Sequence, residues 1–146
     1  DLVSAINEIK GVTDDYEEVV LYTSNGTTGT ITLSDLITNY DRVFIYYYQA
    51  GWIESLEIDG TKVGYEYESG VPYNRITITG THLYAIENGV PQVQELTASY
   101  RATTIIDQGV SKTQLTREFG ASRVNSTSWG RDDSALKIYK IIGFKL

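Results

Sequence analysis

Two periodicities divide the chain. Over residues 1–10 the apolar positions Leu2, Ile6 and Ile9 step by four and then three, the spacing of a coiled-coil seam, with Asn7, Glu8 and Lys10 off it. Gly11 then ends the pattern, as glycine does at helix C-termini. This predicts a short helix. A helix of this length is marginal alone in water, so it either continues a stalk whose copies pack together or caps its own domain. From Val19 onward the period becomes two. Thr30 to Leu33 alternates with Ile31 and Leu33 on one face, and Arg75 to Thr79 with Ile76 and Ile78 inward. A final strand is expected over Leu136 to Leu146, in which Leu136, Ile138, Ile142, Phe144 and Leu146 share one parity, interrupted by Lys140. Between Val43 and Tyr48 both faces are apolar: Val43, Ile45 and Tyr47 on one, Phe44, Tyr46 and Tyr48 on the other. Such a strand is covered on both sides or meets another subunit.

Turn signals refine this. Asn25-Gly26 stands between two apolar runs and predicts a hairpin. Asp59-Gly60 predicts another, with Ile58 facing Thr61, Leu56 facing Val63, Glu54 facing Tyr65 and Trp52 facing Tyr67, and with Glu57 opposite Lys62 as a charge pair. Thr103 to Asp133 is rich in polar residues and reads as loops joined by short strands near Leu115–Phe119 and Arg123–Asn125. Many short strands punctuated by 13 Gly and only two Pro indicate a mainly β fold, an antiparallel β-sandwich of jelly-roll type. Residues 1–16 are assigned to the end of a helical trimeric stalk and its linker, and residues 17–146 to the sandwich domain.

Composition narrows the chemistry. With 146 residues the chain fits one domain. It has no Cys, which excludes disulfides and thiolate metal sites. It has no Met and starts at Asp1, as expected of a C-terminal piece of a longer protein. A net charge of −7 argues against nucleic acid as a partner, and no apolar run approaches the ~20 residues of a membrane helix. Twelve Tyr against three Phe suit half-exposed sheets, interfaces and ligand surfaces better than a closed core.

Catalytic patterns are weak. His82 is the only histidine and lies in an ordinary strand context, without a nucleophile elbow. Of the carboxylates Glu54, Glu57, Glu66 and Glu68, only Glu54 falls on an apolar face, where a sugar-binding acceptor or a hydrogen bond to a tyrosine hydroxyl such as that of Tyr65 accounts for it better than acid catalysis does. Asp14-Asp15 and Asp132-Asp133 match no calcium loop. No catalytic residue, metal ligand or cofactor is assigned. Saccharide binding is the better expectation, because sugars lay C–H faces on aromatic rings and give hydroxyls to planar polar groups. Two stretches carry that chemistry: Asn125, Trp129, Arg131 and Asp132 in a loop-like context, and Tyr48 and Trp52 beside the turn-like Gln49-Ala50-Gly51. Trp52 also fits the apolar face of its strand, and Trp129 also fits a lid over the core.

Three segments resemble a known group. Leu2-Val3-Ser4-Ala5-Ile6-Asn7-Glu8-Ile9 resembles the helix end that closes trimeric stalks in bacteriophage tail-fibre and baseplate proteins. Gly29-Thr30-Ile31-Thr32-Leu33-Ser34-Asp35, with Asn39-Tyr40-Asp41, resembles the first strands of their C-terminal heads, and Ile138-Tyr139-Lys140-Ile141-Ile142-Gly143-Phe144-Lys145 their closing strand. Together these cover under a quarter of the chain. The resemblance implies a homotrimeric, non-enzymatic receptor-binding head on the virion tail. It implies adhesion to host cell-surface polysaccharide, with other tail proteins reached through a preceding part. Three copies supply avidity. Anionic polymers are disfavoured by the net charge unless a local cluster such as Arg117 and Arg123 offsets it. The alternatives are a structural trimerisation module, a small depolymerase, and a monomeric secreted bacterial carbohydrate-binding module.

Overall fold

The computed structural model describes residues 17–27, 29–49, 52–63, 66–68, 71–73, 75–132, 134 and 136–145. The stalk residues Leu2, Ile6 and Ile9 lie outside them. The described chain is mainly β, with antiparallel pairing throughout. In order the strands are β1 (Glu17–Thr27), β2 (Ile31–Thr32), β3 (Arg42–Gln49), β4 (Trp52–Ile58), β5 (Glu66–Glu68), β6 (Val71–Tyr73), β7 (Arg75–Glu87), β8 (Val90–Asp107), β9 (Val110–Val124), β10 (Gly130–Arg131) and β11 (Lys137–Lys145). Single 3₁₀ turns occupy Ile37–Asn39 and Gly60–Lys62.

Three sheets result. A four-stranded sheet has the order β1-β11-β3-β4, a five-stranded sheet runs β10-β9-β8-β7 with β2 also on β9, and β5 pairs with β6. The hydrophobic core draws on the first two. Leu21, Val43, Ile45, Tyr47, Ile138 and Ile141 come from the four-stranded sheet, and Ile76, Ile78, Leu96, Ala98, Tyr100 and Leu115 from the five-stranded one. Alternation accounts for these sets: Ile31 and Leu33 are 1% exposed, and Ile76 and Ile78 are buried, as their period requires.

One polar link ties the sheets. Gln49, buried at the end of β3, has its Nε2 3.1 Å from His82 Nδ1 on β7. Its amide lies against Gly80, where a Cβ would collide with it. His82 is thus a half-buried strand residue that joins two sheets.

Several expectations are corrected. Asp59-Gly60 is not a hairpin. β4 pairs with β3, from Gln49↔Trp52 to Val43↔Ile58. The Asp59 side chain accepts hydrogen bonds from Thr61 N and Oγ1 at 3.0 and 2.6 Å and opens the 3₁₀ turn. Gly60 is required there because a Cβ would meet the carbonyl oxygens of Ile37 and Tyr40. Glu57 takes Arg42 Nε at 2.8 Å in place of Lys62. Asn25-Gly26 lies within β1 as an irregularity in its pairing with β11, Gly26 at φ +109°, and β2 pairs with β9 instead. Thr103 to Asp133 is chiefly β8 and β9, two of the longest strands. They meet at Gln108-Gly109, φ 51° and 78°, and β7 meets β8 at Asn88-Gly89, φ 49° and 74°. Positive φ at both central residues is the mark of a tight primed turn.

The final strand also differs. Its register with β3 shifts between Ile138 and Lys140, so Tyr139 is the extra residue of a bulge. The bulge exchanges the faces: Ile138 and Ile141 enter the core, whereas Ile142 pairs with Phe44 and Phe144 packs edge-on to it, on the opposite side. Gly143 then faces Tyr40, whose ring occupies the place of its missing side chain.

Candidate ligand-binding face

The five-stranded sheet turns Ile76, Ile78, Leu96, Ala98 and Tyr100 to the core, so their neighbours along each strand point away from it. Cross-strand register assembles that outward face in rows. Arg75, Arg101 and Thr116 form one row, Thr77, Ser99 and Phe119 the next, then Thr79, Thr97, Ala121 and Arg131, then Thr81, Glu95 and Arg123. The hydroxyls form a ladder, with Thr77 Oγ1 3.4 Å from Ser99 Oγ and Thr79 Oγ1 3.4 Å from Thr97 Oγ1. Arg123 sits with its guanidinium carbon 4.5 Å from the centroid of the Trp129 ring and donates to Glu95 Oε2 at 2.8 Å.

The middle of β9 breaks the regular lattice. Its register with β8 shifts where Ser99 pairs with Phe119 and Tyr100 with Arg117, leaving Glu118 as the bulged residue. Bulges re-aim side chains and recur beside functional sites. Arg117 is engaged inward: it donates to the Tyr100 hydroxyl and the Leu136 carbonyl and lies 5.0 Å from the Tyr100 ring. Burial pushes the Tyr100 phenol up in pKa, while Arg117 pulls it down. Phe119 points outward and is 49% exposed.

On the other edge of β9, β2 pairs with Gln114 and Leu115, and β10 with Ala121 and Ser122. The stretch between them borders a cleft of ≈ 260 Å³ lined by Gly29, Thr30, Thr116, Glu118, Phe119 and Arg131. A second cleft, ≈ 410 Å³, lies on the other side of Phe119 and is lined by Arg75, Thr77, Ser99 and Glu118. Arg75 Nη2 and Glu118 Oε2 are 3.4 Å apart across it. One exposed aromatic ring therefore separates two shallow clefts rimmed by guanidinium, carboxylate and hydroxyl groups. These are the groups that hold saccharides.

The residues singled out from the sequence fall in two places. Arg131 lines the first cleft, and Trp129 is 40% exposed under Arg123. Asn125 is engaged by its neighbours on β8: its Oδ1 accepts from Val93 N at 2.9 Å and its Nδ2 donates to the Gln92 side-chain Oε1 at 2.8 Å, at φ 51°. Asp132 accepts from Ser134 N and Oγ, at 3.0 and 2.7 Å. Tyr48 and Trp52 belong to the four-stranded sheet, Tyr48 with its ring 5.0 Å from Tyr139 and Trp52 opposite Gln49 at the start of β4. Sequence reasoning passed over Phe119, Glu118, Arg75 and Arg101. The alternation of Arg, Thr and Ser with apolar positions over 75–81 and 95–102 is the signal that would have placed Arg75 and Arg101 on one exposed face, whereas Glu118 and Phe119 take their places from the bulge in β9.

The comparisons add no kinship: no family model, curated protein or solved structure matches the chain.

Proposed function

We infer that this chain is the non-catalytic receptor-binding head of a bacteriophage tail fibre or baseplate, a jelly-roll-like β-sandwich that attaches as a homotrimer to host cell-surface polysaccharide. The observation that carries the reading is Phe119, exposed between two clefts that offer Arg, Glu, Thr and Ser to a ligand. An apolar ring bordered by planar polar groups suits a sugar chain, and shallow open clefts suit weak sites multiplied by avidity. The coiled-coil spacing of Leu2, Ile6 and Ile9 in the sequence and the resemblance of three segments to tail-fibre proteins support the trimer and the virion setting.

The test is a panel of purified bacterial surface polysaccharides, with solution mass measured by light scattering on the same sample. Saturable binding by a trimer, with no new reducing ends after prolonged incubation, is the expected result. Chain cleavage would make the protein a depolymerase. A monomer that binds would make it a carbohydrate-binding module. A trimer that binds no polysaccharide would favour a structural module of the tail, a reading that the half-buried aromatic side of the four-stranded sheet favours.

A further inference from the structure

We propose that Trp129 is a second stacking platform beside Phe119, and that the two rings together hold an internal stretch of an uncharged polysaccharide on the outward face of the five-stranded sheet. The proposal rests on the reading of this face as a saccharide site. It adds a binding residue, the charge class of the sugar and the length of chain engaged.

The two rings share one face. Gly130 and Arg131 pair with Ser122 and Ala121, which brings Trp129 alongside Arg123, whose guanidinium carbon lies 4.5 Å from the centroid of the Trp129 ring. Glu95 on β8 holds that guanidinium at 2.8 Å, so the ring rests on a side chain that is itself fixed. Trp129 remains 40% exposed, close to the 49% of Phe119. A large ring braced in this way loses little freedom when a ligand covers it. Phe119 and Arg123 are four residues apart on β9, roughly 13 Å at the rise of an extended strand. The row between them runs Thr79, Thr97, Ala121 and Arg131; its first three side chains are small, and its two hydroxyls lie 3.4 Å apart. Two apolar platforms separated this far, over a hydroxyl-bearing floor, address different residues of one saccharide chain and not a single sugar.

The charges argue for a neutral chain. The protein carries −7 overall, which repels polyanions unless cations are left to meet them. On this sheet the arginines are engaged within the protein. Arg75 pairs with Glu118 and Arg123 with Glu95, Arg117 donates to Tyr100 and Leu136, and Arg101 and Arg131 have interactions within the chain as well. The face offers ring surface, the hydroxyls of Thr77, Thr79 and Thr97, and ion pairs whose opposite charges offset each other. Those groups match the C–H faces and hydroxyls of an uncharged sugar.

The experiment measures binding of the whole chain to the polysaccharide panel divided by charge, with dextran, levan and mannan among the neutral polymers and alginate, hyaluronate and polygalacturonate among the anionic ones. Binding is expected among the neutral polymers, with an affinity that added salt leaves unchanged. Phe119→Ala and Trp129→Ala should each weaken it on the order of tenfold with the thermal midpoint held. Arg42→Gln, on the other sheet, should bind as the parent does. Size-fractionated fragments of the bound polymer should gain affinity steeply up to the length that reaches both rings, and either ring variant should abolish that gain. Should Trp129→Ala lose its fold, Trp52→Phe leaves Trp129 as the one tryptophan, and saturating polymer should shield it from acrylamide quenching. Unchanged quenching, or binding by Trp129→Ala equal to the parent's, would overturn the second platform. Binding confined to the anionic polymers and lost in salt would overturn the neutral assignment and leave the saccharide reading standing. No binding to any member of the panel would remove both readings.

Discussion

The two large sheets share a core but turn different chemistries away from it. The four-stranded sheet shows rings: Phe44 and Phe144 packed edge-on at 5.6 Å, Tyr139 5.0 Å from Tyr48 and 6.0 Å from Tyr46, with Arg42 over both phenylalanines. These rings rest on one another and are half-buried within one chain. The five-stranded sheet shows arginines, a hydroxyl ladder and the exposed ring of Phe119. In the first sheet the outward residues satisfy each other, so their loss should register as stability. In the second they are arranged around clefts, so their loss should register as binding. The same antiparallel backbone thus supports two kinds of outward surface, one of packed aromatic rings and one of polar groups bordering clefts.

That contrast can be broken by substitution. The largest effect is expected at Gly143, where a side chain would displace the Tyr40 ring: Gly143→Val should destabilise by about 3 kcal/mol in urea unfolding, at the upper end of overpacking penalties. If it were neutral, the four-stranded sheet would be looser than its packing indicates. Next comes a crossed pair. Tyr139→Ala should cost about 1–2 kcal/mol by the loss of two ring contacts and leave saccharide binding intact. Phe119→Ala should change stability by no more than about 0.5 kcal/mol and weaken binding. Equal stability losses for the two would erase the distinction drawn here.

Alkali should act on the core through its buried phenols. Burial raises the phenol pKa of Tyr40, Tyr47 and Tyr100 above the usual 10.0, helped at Tyr40 by its hydrogen bond to Asp35 and at Tyr47 by the charge of Glu54. Each phenol is held neutral more strongly when folded than when unfolded. Their contribution is therefore complete below pH 10.0 and declines as pH rises through the folded values. Thermal midpoints from pH 8 to 11 should be level and then fall, and a flat profile would exclude the coupling. The smallest effect belongs to the exposed Arg42–Glu57 pair: Glu57→Gln should shift stability by no more than about 0.5 kcal/mol, a change that 0.5 M salt also abolishes.

Much of the first sheet was legible because burial there writes a strong pattern. Val43, Ile45 and Tyr47 enter the core, and the apolar opposite face of the same strand announced the aromatic side. The Asp59-Gly60 turn misled because a hairpin and a capped 3₁₀ turn want the same two residues, and only the partner strand β3 decides between them. The bulge at Tyr139 hid the parity of the last strand, since one extra residue moves everything after it to the other face. The second sheet was harder. Its outward positions are Thr, Ser and Arg, which resemble loop composition, so the end of β8 and the whole of β9 read from the sequence as loops joined by short strands. Asn88-Gly89 was a turn signal that went unused. Of the candidate residues, local composition points to Arg131, which lines a cleft, and to Trp129, which does not, whereas Phe119 takes its outward place from the β9 bulge.

The position of β11 between β1 and β3 sets an order of assembly. β7, β8 and β9 follow one another through two tight turns, so their pairing requires only short loop closures and can form while later residues are still being made. In the four-stranded sheet β3 and β4 are likewise neighbours in sequence, but the strand that joins them to β1 is supplied by residues 137–145, more than a hundred positions after β1. Until that segment has left the ribosome, β1 lacks its neighbour in the sheet and the core lacks Ile138 and Ile141. Nascent chains halted before residue 137 would therefore present a preformed Arg- and Thr-lined face backed by an open apolar one, the state in which this protein is most exposed to aggregation.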